Sequence, residues 1–210
     1  MRERLVSTGA SADRIEWRPT YAEDAGAVDM PPAGGVAFVG RLEQAKGIEL
    51  LLTAWTPAVA RRWGRLVIAG DGPLAGLVSA RATSDPTVQW RGRLDHGRIR
   101  TVLRESQVIA LPSLWYEGFP RVAAEAMSIG RPLLASSDAG FSCLCDNGAG
   151  WRVDSTPEAW AGQLLSLDDA ALRAASASAR AFYERRCSPT VALRQLQNVY
   201  VSVVAEMRTR

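Results

Sequence analysis

The chain has 210 residues, 47% of them hydrophobic, with 25 basic and 22 acidic side chains and a net charge of +3. That apolar share supports a sizeable core in one large domain, while the near balance of charge, with no lysine- or arginine-rich tail, argues against a nucleic-acid partner. Cys143, Cys145 and Cys187, with His96 as the only histidine, are too few for a disulfide framework or a metal site, and no run of ~20 apolar residues is present to span a bilayer.

The expected setting is a reducing cytoplasm, with no secretory signal and at most peripheral membrane contact. Residues 1–30 are polar and poorly periodic, like an interdomain linker. The sequence DMPPAGG, Asp29 to Gly35, then punctuates the chain. From there short apolar runs alternate with amphipathic stretches. Strands are expected at Val36–Val39, Arg65–Ala69, Val88–Trp90, Val108–Leu111, Pro132–Ala135 and Gly150–Val153. Helices are expected at Ile48–Arg62, Leu74–Ala82, Gly97–Glu105, Pro120–Ile129 and Pro157–Leu167. Continuous apolar strands separated by helices predict an α/β fold: a Rossmann-like, doubly wound parallel sheet of about six strands, with helices on both faces. Asp168–Arg186 and Pro189–Met207 follow as two C-terminal helices, separated at Cys187–Pro189. The division is thus a linker-like segment 1–30, a nucleotide-binding domain 31–186 and a final helix 187–210. Arg91, Arg93, Arg98, Arg100 and Arg104 form a basic stretch of the kind usually found on a solvated helix face.

Sheets of this class bind ligands beyond the carboxyl ends of their strands. The loop after the first strand reads GRLEQAKG, Gly40 to Gly47. Lys46 is the only lysine; the other 24 basic side chains are arginine. Gly40 allows a tight turn, and Arg41 and Lys46 then bracket a short loop entering a helix. A planar guanidinium, a compact ammonium and a helix N-terminus together suit a diphosphate. After the second strand, AGDGPLAG places Gly70, Gly72 and Ala75 in a dinucleotide-type glycine pattern. An acidic residue is expected about 20 residues later in that pattern, but the next strand ends in Trp90-Arg91, which would demand a phosphorylated nicotinamide cofactor. After the fourth strand comes LPSLWYEGFPRVAAEAMSIGRP. Pro120 suits a first helical position. Val122, Ala123, Ala124, Ala126, Met127 and Ile129 predict a buried helix, on which Glu125 is the one carboxylate and needs a partner or a purpose. Glu117 precedes the helix, so two carboxylates flank its N-terminus.

These stretches resemble the C-terminal, donor-binding domain of GT-B glycosyltransferases, in the retaining family 4 (group 1). The matching pieces are FVGRLEQAKGIELLLTAW, LVIAGDGPL, VQWRGRL, VIALPSLWYEGFPRVAAEAMSIGRPLLAS and NGAGWRV, covering about Gly35 to Asp154; the spacing of Glu117 and Glu125 is the most specific part. The resemblance implies that Arg41 and Lys46 hold the donor diphosphate, Glu117 contacts sugar hydroxyls and Glu125 holds the ribose diol. It implies backbone amides of Gly118, Phe119 and Arg121 facing phosphate, with Val122 beside them. Gly40 and Gly70 would shape the cleft, and Arg93 and Leu94 would frame the base. Glu117, Arg41 and Lys46 are the residues it assigns to catalysis, with no metal and no cofactor. Where the family has Gly-Gly and a nearby Glu, this chain reads DAGFSCLC, with Ala139-Gly140 and no acid before Asp146. The family's N-terminal acceptor domain is not matched, so the donor-binding half is expected to need that domain or a partner chain for transfer. Two other readings stand beside this one. The chain could be an NADP-dependent oxidoreductase domain using Gly70, Gly72, Ala75 and Arg91, or a non-catalytic module whose last two helices dock a partner.

Overall fold

In the computed structural model, residues 2–16, 18–31, 33–139 and 147–208 are described. After a short helix α1 (Arg2–Ser7), the chain runs β1 (Val36–Val39), α2 (Ile48–Ala54), α3 (Pro57–Trp63), β2 (Leu66–Ala69), α4 (Ala75–Ser84), β3 (Val88–Trp90), α5 (His96–Arg104), β4 (Val108–Leu111), α6 (Arg121–Ser128), β5 (Leu133–Ser136), β6 (Gly150–Val153), α7 (Pro157–Ser166), α8 (Asp169–Arg186) and α9 (Pro189–Arg208). The six strands form one parallel sheet in the order β3-β2-β1-β4-β5-β6. This is the Rossmann-like doubly wound fold read from the sequence, with its two C-terminal helices.

Alternate residues of each strand face opposite layers. Val36, Phe38, Leu66, Ile68 and Leu134 pack with Trp55, Trp63 and Trp160 of the helices on one face. Ala37, Val67, Ile109, Leu133 and Ala135 pack with α5, α6 and α8 on the other. Small residues recur on α6, where Ala123, Ala124 and Ala126 are fully buried and let the helix lie close to the sheet.

The single helix expected over Ile48–Arg62 is instead two. Trp55 ends α2, and Thr56 then caps α3 by accepting a hydrogen bond from the Val59 amide at 3.3 Å, with Pro57 in the first turn. Proline cannot donate to the preceding turn, so a Thr-Pro pair inside an apolar pattern starts a new helix. Asp95, Thr156 and Asp168 cap α5, α7 and α8 in the same way.

Two features position the site. The first is the switch of direction between β1 and β4. β1 pairs with β2 along all four residues, Val36 to Val39, but with β4 only at Val36 and Ala37. The ladder between β1 and β4 thus stops early at the topological switch point, beyond which folds of this class have the crevice that binds ligands. The second is the segment before β1. Residues 20–29 run along α5, α6 and α8, from Thr20 beside Phe119 to Asp29 at the amino ends of the strands, held by hydrogen bonds from the Tyr183 hydroxyl to Ala22 O at 2.9 Å and from the Arg104 guanidinium to Ala25 O at 2.7 Å.

Candidate functional site

The crevice is walled by the loop after β1 and the loop after β4, and the two are locked together. Gly47 has φ +68°, and a Cβ there would sit 1.8 Å from the Pro112 carbonyl. Only glycine fits both the left-handed backbone and that contact. The Leu114 amide donates to Ala45 O at 2.9 Å, one residue before Lys46. A third loop joins them where the Glu117 amide donates to Ala139 O, after β5, at 3.2 Å.

Lys46 and Glu117 meet in this frame. Lys46 Nζ lies 2.7 Å from Glu117 Oε1, and the side chains are 31% and 14% exposed. The Ser113 hydroxyl donates to the same carboxylate oxygen. Ser113 is a partner that the sequence pattern did not announce. It lies four residues before Glu117 in an irregular loop, where spacing carries no facing rule. Beyond Glu117, α6 begins with its first amides open. The N-cap position is Pro120, which offers no side-chain cap, and the amides of Gly118, Arg121 and Val122 have no acceptor among the described residues. Open amides at a helix N-terminus are an anion site in waiting. The Phe119 carbonyl is fixed by the Thr20 hydroxyl at 2.9 Å.

Gly40, Arg41, Gly70, Arg93 and Leu94 come together as well. With Asp71 and Ile99 they line a groove of about 450 Å³ at the carboxyl ends of β1, β2 and β3. Arg41 is 65% exposed, and its guanidinium rests on Glu43 at 2.9 Å. Such an exposed pair is worth little and is easily exchanged for a ligand.

The glycines of the second loop serve packing. A Cβ at Gly70 would meet Gly40 O at 1.8 Å, and one at Gly72 would meet Leu42 O at 2.5 Å. The Leu74 amide is already taken by Leu42 O at 2.9 Å. The close approach of the first loop therefore accounts for Gly70 and Gly72 without a nicotinamide cofactor.

Glu125 stands apart from both clusters. Expected to be buried, it is half-buried, and Arg121 one turn earlier pairs with it at 3.0 Å. It borders a small cavity of about 90 Å³ shared with Glu23, His96 and Arg100. Gly140, Cys143, Cys145 and Asp146 lie outside the described residues, so the loop DAGFSCLC is placed only as far as Ala139. Cys187 is buried. Among the described residues no group of three or more His, Cys, Asp or Glu is arranged to hold a metal ion, and no helix is long and apolar enough to cross a membrane.

A cleft of about 750 Å³ lies elsewhere, between residues 27–31 and α8. Gln107 and Gly130 line it; they precede β4 and β5, so it opens at the amino ends of the strands, away from the crevice.

Known proteins resemble this chain in sequence and in fold. Residues 33–169 match the family model described as glycosyl transferases group 1. An alpha-D-kanosaminyltransferase of Streptomyces kanamyceticus is 33% identical over 179 residues, 81% of this chain and 44% of that protein. A D-inositol 3-phosphate glycosyltransferase of Segniliparus rotundus is 32% identical over 143 residues, 63% of this chain and 31% of that protein. The chain thus spans less than half the length of these curated relatives. Among solved structures, Anabaena HepE in complex with UDP superposes with a TM-score of 0.78 at 18% identity, over 96% of this chain and 61% of that one. Sucrose-phosphate synthase from Thermosynechococcus elongatus gives 0.77 at 24% identity, over 97% and 56%. These structures share the fold, and the family match covers more than half of the chain. With a doubly wound sheet whose switch point lies between β1 and β4, the chain belongs to the group 1 glycosyltransferases of GT-B architecture.

Proposed function

We propose that this chain is the C-terminal, nucleotide-sugar-binding half of a retaining, family 4 glycosyltransferase. It binds a nucleoside diphosphate sugar and, with an acceptor-binding domain or partner chain, passes a hexose-like unit to an acceptor. The observation that carries this reading is one convergence: a lysine, a half-buried carboxylate and open helix amides meet at the carboxyl ends of β1 and β4. In the assigned roles, Lys46 and Arg41 neutralise the diphosphate, the amides of Gly118, Phe119 and Arg121 receive phosphate oxygens beside Val122, and Glu117 accepts from sugar hydroxyls. Arg93 and Leu94 frame the base in the groove over Gly40 and Gly70. Glu125 takes the ribose diol once Arg121 releases it.

In the reaction, the bond from the anomeric carbon to the diphosphate oxygen breaks. The acceptor oxygen attacks from the same face and passes its proton to the departing phosphate. No side chain need form a covalent intermediate. The protein contributes position and charge, because the negative charge that grows on the diphosphate is met by Lys46, Arg41 and fixed amides. These cations and amides supply the neutralisation that a metal ion would otherwise give. The chain works in the cytoplasm.

A thermal-shift panel of UDP, GDP, ADP and TDP against NAD and NADPH tests the reading. A ligand at one hundred times its dissociation constant adds ~2.7 kcal/mol, a shift of a few degrees for a domain of this size. UDP is the first candidate, since HepE has been solved with it. A shift with a nucleoside diphosphate supports the donor half; a shift with NADPH alone, or with nothing, contradicts it.

A further inference from the structure

Glu117 Oε1 accepts from two donors at once, Lys46 Nζ at 2.7 Å and the Ser113 hydroxyl. The two donors differ in freedom. Lys46 is 31% exposed on a flexible stem, and a diphosphate arriving in the crevice would compete for its charge. Ser113 is 4% exposed, on a short side chain at the root of the loop. Its neighbours are fixed on both sides, since the Pro112 carbonyl abuts Gly47 and the Leu114 amide is held by Ala45 O. A carboxylate accepts and cannot donate, so the hydroxyl proton must point at Glu117.

We infer that Ser113 is a positioning residue, which holds Glu117 for the donor sugar when Lys46 turns from Glu117 to the diphosphate. The inference rests on the donor-binding reading above. Ser113 occupies Oε1 and leaves Oε2 for a sugar hydroxyl. The sugar contact is thereby uncoupled from the phosphate contact: Lys46 can move without the carboxylate losing its orientation. A carboxylate held only by Lys46 would swing with it, and the sugar would be bound in many poses.

The test separates sugar from diphosphate. Isothermal titration of the 210-residue chain gives dissociation constants for UDP and UDP-glucose, and for the GDP, ADP and TDP pairs with their glucose or mannose conjugates. The readout is the ratio of the sugar-nucleotide constant to the diphosphate constant. Ser113→Ala should raise that ratio about tenfold, as expected for one hydrogen bond to a charged group, and leave the diphosphate constant within about twofold. Ser113→Thr should restore the ratio. Glu117→Gln should raise it too, and the double variant should add nothing further, because the serine acts only through the carboxylate. Parallel weakening of both ligands, or an unchanged ratio in Ser113→Ala, would overturn the inference and leave the donor reading intact. So would additive effects in the double variant. Failure of the unmodified chain to bind any of the diphosphates would remove the donor reading and this inference together. Unfolding curves of each variant separate lost binding from lost fold, and Ser113→Cys substitutes if Ser113→Thr is unstable.

Discussion

At the amino ends of the strands, Arg131 is fully buried and donates to four carbonyls, those of Val28, Asp29, Arg104 and Ile129. At the carboxyl ends, Arg41 is mostly exposed with one carboxylate for company, and the helix beyond Glu117 keeps open amides. Burial, and then the nearby Arg104, lower the Arg131 pKa to about 10, so it stays charged at neutral pH. Its bonds fasten the segment before β1 to the ends of α5 and α6. Arg180 does the same from α8, with Asp24 at 2.6 Å and Glu184 at 2.7 Å. One end of the sheet uses arginine to close the structure, and the other leaves cations with replaceable partners. Charge satisfied by the protein stabilises the fold; charge left half-satisfied is available to a ligand.

The largest expected effect breaks the closed end. Arg131→Met leaves several buried carbonyls unpaired and should cost about 3 kcal/mol or more of unfolding free energy, read from urea denaturation. Nucleoside diphosphate affinity measured well below the melting range should hardly move. Next comes the open end, where Lys46→Ala should cost ~1.5–3 kcal/mol of diphosphate binding, as for a charge-assisted hydrogen bond. Its unfolding free energy should change by less than about 1 kcal/mol, because the ion pair it breaks is partly exposed. Equal affinity in Lys46→Ala would remove its assigned role. A smaller effect sharpens the position of Glu125. Removing the exposed pair by Arg121→Ala should cost about 0.3–0.5 kcal/mol of stability. Glu125→Ala should weaken a nucleoside diphosphate and leave inorganic pyrophosphate unaffected, by calorimetry, if Glu125 holds the ribose. The smallest effect is a pH dependence at the closed end. The hydrogen bonds from Arg180 hold the Asp24 carboxyl below the usual range. A depressed carboxyl stabilises the fold above its unfolded pKa of about 4, and that contribution fades as the pH falls through the lower folded value. Asp24→Asn should therefore lose stability at neutral pH and less of it in strong acid, as read from melting temperatures.

The open end was the more legible in the sequence. Its loops follow apolar strands directly, and glycine, lysine and glutamate at fixed offsets carry their chemistry locally. The parallel, doubly wound sheet follows from the alternation of apolar strands with helices. The closed end was largely hidden. Arg131 in GRPLLAS looks like any surface arginine, since nothing local shows that carbonyls from residues 28, 29 and 104 converge on it. Residues 20–29 are too polar to suggest that they dock. Two details of the site escaped for the same reason. Ser113 finds Glu117 through the course of a loop, whereas Arg121 and Glu125 are one helical turn apart and their pairing was readable from that spacing alone. The break at Thr56-Pro57 was readable as well, and was obscured by the strength of the apolar pattern around it.

The most direct test is to label the amides with ¹⁵N and titrate the chain with the nucleoside diphosphate that raises its melting temperature, following each backbone resonance. The account predicts the largest shifts at Gly118, Arg121 and Val122, with Gly40 and Lys46 close behind. Shifts concentrated at residues 27–31 and along α8, with the start of α6 unmoved, would contradict it.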